Sequence, residues 1–373
     1  MPRVRSTFVS FAVVFFSASH APLAPAADRL ILRNLDILTR QTIISFDEDG
    51  LVLDGPRPGG GERVTWDEVE RGKVALDQPR FDKLLSELGQ PLFRIRQRLK
   101  IGDLEALAEP AEAMFPRFAE RQSQTAYMVC QATMWSRLAA GRREAAVLPY
   151  VRCFELLRSR AATSANLPGS RRLQTDAATG VSAELIPVWF DAAAAKAVLP
   201  ELQAAIRNMA APRPEGMSVY YASLALAGGE AAEADRVIRT LQSNQPELLV
   251  WREVLAAQQE MAASSAGAAL EKLRSKLDAL PGACRSAALY WVGLADSQQA
   301  DADRCKGGIL RLMTLPAEYG DEQPELAAAG LYHAASALAK LKDDRGAAAV
   351  RGELAGRYGA TQHARKLRAG AER

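Results

Sequence analysis

Few residues in this sequence could do chemistry, and their spacing narrows the choice further. The 373-residue chain has three His and four Cys. His20 lies in the N-terminal segment, which leaves His333 and His363, too few for a multi-His metal site. No Ser or Cys stands at a spacing that would make His333 a general base. In Leu331-Tyr332-His333-Ala334 it reads instead as a polar groove or surface residue. No G-x-S-x-G, H-E-x-x-H, P-loop or dinucleotide fingerprint occurs. Gly59-Gly60-Gly61 lacks the Lys-Ser/Thr ending of a phosphate loop. The acidic stretches Asp47-Glu48-Asp49-Gly50 and Asp67-Glu68-Val69-Glu70 lack the order of a calcium loop. The expectation is a non-enzymatic protein, with no catalytic residue, no metal and no cofactor.

The cysteines raise the question of a disulfide. Cys130 lies 11 residues before Gly141 and Cys153 lies 12 after it. If Gly141 is the turn of two antiparallel helices, the two are level to within a few ångströms. A Cys130–Cys153 bridge is then within reach and would contribute roughly 3 kcal/mol; two buried thiols are the alternative. About a turn at Ala300, Cys284 and Cys305 are out of step by roughly 16 Å, too far to bridge. No C-x-x-C occurs.

Residues 1–27 have the form of a secretory signal peptide: a basic start with Arg3 and Arg5, an apolar stretch over 8–18, and Ala24-Pro25-Ala26 as a processing site. The apolar stretch is half the length needed to span a bilayer, so cleavage, a periplasmic or secreted location in a bacterial cell envelope, and no integral span afterwards are expected. Net charge is +3, and loss of Arg3 and Arg5 brings it to +1. A near-neutral chain makes no global electrostatic case for nucleic acid or an anionic membrane.

The elements that must position these residues fall into two parts. No Ala occurs between Asp28 and Val74, whereas Ala clusters are frequent from Ala75 onward. The Ala-free part, 28–75, alternates with period two: Leu30 and Leu32, then Thr42–Phe46, a turn at Asp47–Gly50, Leu51–Leu53, a Gly/Pro loop over 55–61, and Arg63–Trp66. Four or five short strands predict a small all-β module that packs on the helices C-terminal to it. It resembles the SH3-like or Sm-like barrels found at the N-terminus of exported proteins.

From Phe81 onward the pattern is helical and repeats. Around Gly229, Tyr221-Ala222 precede the turn, and Ala234, Ile238, Leu241 and Pro246 come after it. This unit resembles the tetratricopeptide (TPR) repeat, whose two small residues, turn Gly and closing Pro fall on Ala222, Ala234, Gly229 and Pro246. Ser218 stands where that family has a large aromatic. Similar units centre on Gly102, Gly141, Ser265, Ala300 and Lys342, and the spacings from Gly229 onward are 36, 35 and 42 residues. The organisation expected is helix pairs over 79–159, a flexible insert over 160–182, and further pairs over 183–373. A helix over 191–209 is broken near Pro200, and Trp189-Phe190 staple a loop to the helices. The fold class is thus mainly α: a TPR-like α-solenoid preceded by a small all-β module.

The resemblance implies a scaffold or adaptor whose concave face binds a protein or peptide partner. Arg96, Tyr220, Ser223 and His333 are the residues placed on that face. Val219, Tyr220 and Ser223 stand where related repeats carry a Lys/Asn carboxylate clamp, which predicts a more apolar groove. The alternative is an enzyme or ligand carrier with a pocket between the β-module and the first helices, with Trp66, Asp67 and Arg94 at its wall.

Overall fold

In the computed structural model the described residues are 28–39, 41–54, 63–176, 179–241, 245–263 and 267–371. The predicted signal segment, the Gly triplet and the turn at Ser265 lie outside them. No described helix is long and apolar enough to cross a membrane.

The N-terminal strands form two three-stranded antiparallel sheets. β1 (Arg29–Leu32) sits between β2 (Ile37–Leu38) and β6 (Val69–Lys73). β4 (Gly50–Leu53) sits between β3 (Ile43–Asp47) and β5 (Arg63–Val64). The hairpin expected at Asp47–Gly50 joins β3 to β4, with Gly50 at φ +137°. Trp66 is not in a strand; it opens a short 3-10 turn, fully buried, and donates its indole N–H to the Asp47 carbonyl at 2.7 Å. Asp28 ties the parts together, accepting from the amides of Ile43 and Ala75 at 2.7 Å each.

The module is not free-standing. Trp66, Phe46 and Phe81 stack with centroids 5.4–6.2 Å apart. Phe81 belongs to α1 (Gln78–Leu84), which runs through a π-turn into α2 (Gln90–Ile101). Gly72 is required here: a Cβ would lie 2.6 Å from both Leu30 and Phe81. The acidic hairpin tip docks on the next two helices, α3 (Ala108–Phe118) and α4 (Gln124–Ala139). Arg117 meets Glu48 at 2.8 Å, Arg121 meets Asp49 at 2.8 Å, and Ser123 bonds Asp49 at 2.6 Å. Arg117 and Arg121 hold the Glu48 carboxyl below its ordinary pKa. A unit this small cannot bury enough apolar surface alone, and these contacts supply the remainder.

The rest is helical. α5 (Val147–Arg158) and α6 (Ala192–Asn208) are followed by α7 (Glu215–Ala227) and α8 (Ala231–Ile238). Then come α9 (Pro246–Ala262), α10 (Ala268–Lys276), α11 (Gly282–Ser297) and α12 (Ala302–Tyr319). The chain ends in α13 (Pro324–Lys340), α14 (Asp344–Arg357) and α15 (Gln362–Ala371). Gly102, Gly141, Gly229 and Lys342 all take positive φ between helices, and Ala300 lies between α11 and α12. Pro246 opens α9 rather than closing the preceding unit, at a position where its missing N–H costs nothing. Pro200 lies inside an unbroken α6.

Packing separates two kinds of helix. α7, α9, α11, α13 and α15 pack on one another in series, while α8, α10, α12 and α14 each pack against the helix before them. α11 is buried on nearly every face from Cys284 to Ser297, and its Ala, Gly and Ser residues let neighbours approach. α8 buries only Ala234 fully. One apolar core runs from Leu30 to Ala364.

The last helix packs back near the α4–α5 turn. Arg365 on α15 donates to the Ala140 carbonyl at the α4–α5 turn, 3.2 Å away. Gly141 has no room for a side chain: a Cβ would lie 2.6 Å from Glu325 Oε1 and 2.7 Å from Arg365 Nη2.

Candidate functional site

Between these helices the chain buries a segment of its own. The stretch from Val181 to Phe190, between α5 and α6, is irregular, with a turn at Glu184-Leu185 and the Val188 amide bonded back to the Ile186 carbonyl at 2.8 Å, and side chains remote in sequence bind its main chain. Arg143 donates to three carbonyls, of Val188 at 3.0 Å, Ile186 at 2.5 Å and Glu184 at 3.4 Å. Tyr220 on α7 accepts from the Ser182 amide at 2.9 Å and donates to the Leu185 carbonyl at 2.7 Å. Ser223 donates to the Pro187 carbonyl at 2.8 Å, and Gln323 to the Ala183 carbonyl at 3.1 Å. Glu144 accepts from the amides of Phe190 and Asp191 at 2.7 and 3.0 Å, and Lys366 donates to the Phe190 carbonyl at 3.0 Å. Buried main chain must be paired, and here the helices do what neighbouring strands do in a sheet. Burial pushes the Tyr220 hydroxyl well above its ordinary pKa and lowers that of Arg143.

At the end of the stretch Phe190 enters an aromatic nest. Its ring meets His363 edge-on at 4.8 Å and Tyr290 at 5.7 Å. His333 and His363 lie 5.8 Å apart, and the Tyr290 hydroxyl is 3.4 Å from His333 Nε2. Burial, aided by Lys366, pulls the pKa of His333 down to about 4 and that of His363 down to about 3. Beside the nest, burial raises Glu325 to about 7.

These positions correct several expectations. Tyr220 and Ser223, expected on a partner-binding face, are fully buried under the chain's own segment and do not line an open groove. His333 joins the same region through Phe190. Arg96 does not; it belongs to the β-module junction. The insert over 160–182 is held rather than free: Leu167, Thr179, Val181 and Ser182 are buried, Thr175 bridges Ser182, and Tyr150 bonds the Gly180 carbonyl at 2.5 Å. Trp189 is buried against Tyr220 and Arg143. Cys130 and Cys153 are unbridged and buried, as are Cys284 and Cys305. Cys153 points its sulfur toward the Tyr127 carbonyl at 4.0 Å, and burial raises the Cys130 thiol to about 12.

Sequence reasoning missed Arg143, Glu144 and Glu325. One signal was present: Arg142-Arg143 stand at the start of a helical stretch, where a cation works against the helix dipole and so needs another reason to be there.

A second feature lies at the junction of the β-module and α2. A cleft of about 480 Å³ is lined by Leu32, Arg33, Asn34, Asp67, Glu68, Phe93, Arg96 and Gln97. Asp67 is buried and pairs with Arg96, while its Oδ1 has no hydrogen-bond partner. Arg33 lies 4.2 Å over the Phe93 ring and pairs with Glu70 at 2.9 Å. Burial raises the Glu68 carboxyl, with the neighbouring Asp67 charge adding to it. Of the three wall residues expected, Asp67 lines the cleft; Trp66 is core, and the exposed Arg94 points elsewhere on α2.

Among the described residues no group of three or more His, Cys, Asp or Glu could hold a metal ion. No protein-family model, no curated protein and no solved structure matches this chain.

Proposed function

We propose that the protein is an exported, non-enzymatic scaffold built from TPR-like helix pairs. Its inner face holds a segment of its own chain, and a protein partner in the cell envelope meets its outer surface. The observation that supports this reading is the run of main-chain hydrogen bonds from the inner helices to 182–191. They bind polypeptide regardless of side chain, and they occupy the positions at which Tyr220 and Ser223 would otherwise meet a second chain. A filled interior makes the array stiff, which suits an adaptor that presents its outer helices at fixed spacing.

The test is crosslinking in the protein's own cell envelope, read by mass spectrometry and paired with hydrogen exchange on the recovered complex. The expected result is a stoichiometric partner linked through outer-helix lysines such as Lys272 and Lys306, with the Ser182 and Phe190 amides slow to exchange in both states. Fast exchange there in the complex would mean that the partner displaces the segment, and the filled-interior reading would fall. No partner at any crosslinker length would remove the scaffold itself.

The junction cleft favours a second reading, a small polar ligand held between the β-module and α2, since the buried Asp67 Oδ1 lacks a donor. A ligand released on denaturing the purified protein, and absent from the Arg96→Ala variant, would establish it; an empty extract from both would dismiss it.

A further inference from the structure

The outer face of the β2-β1-β6 sheet carries three cations that no acid among the described residues neutralises. Arg29 stands directly opposite Lys73, Arg71 opposite Ile31, and Ile31 opposite Ile37. Directly opposed residues share a face, as do residues two apart on one strand. Arg29, Ile31, Ile37, Arg71 and Lys73 therefore form one patch, while Leu30 is buried on the other face. The three cations are exposed, and among the described residues none of them has an ion pair. The adjacent acids are engaged elsewhere, Glu70 by Arg33 and Asp28 by the Ile43 and Ala75 amides. Like charges directly opposite one another destabilise a sheet, so the Arg29–Lys73 pair is costly unless an anion joins it.

Two further features describe what that anion is attached to. The cations surround a shallow cleft of about 360 Å³ whose remaining lining is Ile31 and the Gly72 main chain. Ile37, half exposed, adjoins it, and Leu35 at the tip of the β1–β2 turn is 82% exposed. Leu35 holds a left-handed backbone, φ +74°, that a bulky side chain rarely takes. Apolar side chains beside unpaired cations match an interface of anionic headgroups over acyl chains. With a net charge of only +3 the chain has no long-range field to recruit a nucleic acid; the attraction acts within a Debye length, roughly 10 Å.

We propose that this face docks the protein on an anionic phospholipid surface. Arg29, Arg71 and Lys73 take phosphate oxygens, and Ile31, Ile37 and Leu35 meet the interfacial hydrocarbon. The inference stands independently of the scaffold reading. Each cation near such a surface is worth roughly fivefold in partitioning, so the three together are worth roughly a hundredfold.

The experiment is co-sedimentation of the full chain with vesicles of equal parts phosphatidylglycerol and phosphatidylcholine, against vesicles of phosphatidylcholine alone. The quantity read is the change in that difference between parent and variants, because Arg3 and Arg5 favour the anionic vesicles equally in all of them. The expected result is a preference of ten- to a hundredfold for the anionic vesicles, lost in high salt and lost in Arg71→Glu/Lys73→Glu. Arg29→Glu is the sharper variant: it should weaken binding by tenfold or more while raising the thermal midpoint, since Glu opposite Lys73 turns a repulsive pair into an attractive one. A purely structural patch would not move both in that way. Equal binding to the two vesicle types overturns the proposal. So does a preference untouched by these variants, or protection by inorganic phosphate or binding of DNA without vesicle binding.

Discussion

Arg143→Met should cost the protein roughly 4 kcal/mol of stability or more. The guanidinium is buried and donates to the carbonyls of Glu184, Ile186 and Val188, and it also lies 5.6 Å from the Trp189 ring. Bonds to a charged donor are worth about 1.5–3 kcal/mol each, and a buried acceptor left without a donor costs about 1–3. Met fills similar space but strands the carbonyls in the centre of the molecule. Against a total stability of about 5–15 kcal/mol, this is a quarter or more. Lys in the same place keeps the charge but lacks the planar fork that reaches three acceptors at once, so Arg143→Lys should lose about half as much. Urea unfolding followed by Trp fluorescence measures both. If Arg143→Met stays within about 1 kcal/mol of the parent, the inner segment is not held by this residue, and the account of the filled interior fails with it.

The way this segment is buried explains why it escaped sequence reading. A strand in a sheet shows period two because one face differs from the other, and a helix shows period 3.6 for the same reason. The stretch 181–190 has helices on several sides, so Leu185, Ile186, Val188 and Trp189 are all buried and no period survives. Its partners, Arg143, Tyr220, Ser223 and Gln323, are scattered over some 180 residues. The preceding residues read as a loose insert because they are polar, yet Asp176, Thr179 and Arg172 spend that polarity on local main-chain bonds. Local features were legible. The composition break at Ala75 falls between the last strand and α1, the hairpin at Asp47–Gly50 is where the turn residues put it, and the turn residues Gly102, Gly141, Gly229 and Lys342 separate helices. Tyr220 and Ser223 do bind polypeptide main chain; what no local pattern shows is that it comes from the same chain. The three-cation patch was legible in principle, but only once the register of β1 against β6 was known.

Acidification should unfasten the same region, and two substitutions should change that response in opposite directions. His333 and His363 are held neutral by burial, at about 4 and about 3, against about 6.5 in an unfolded chain. The unfolded state therefore takes up protons first as pH falls below 6.5, and stability drops until the folded-state values are reached. The two contribute roughly 3 and 5 kcal/mol to that loss if fully expressed. Lys366 and Lys340 face the pair and oppose its protonation, and the Tyr290 and Tyr332 rings offer no compensating charge. Glu325 acts the other way. Its folded value of about 7 lies above the ordinary one, so the folded state binds the extra proton between about pH 7 and 4.5, and stability gains there. Between pH 7 and pH 5 the two His together outweigh Glu325, and these groups predict a net loss of roughly 1–2 kcal/mol. His363→Phe keeps the ring contacts to Phe190 and Tyr332 and removes a buried Nδ1 that has no partner; stability should then be nearly flat over that range. Glu325→Gln can still accept from the Gln362 amide but no longer offsets the His pair, so the loss should steepen to roughly 4 kcal/mol. Urea midpoints at pH 5, 6, 7 and 8 distinguish the three curves. Parallel curves would mean that neither the His pair nor Glu325 changes its protonation on unfolding, and the aromatic nest would then be a contact without a charge behind it.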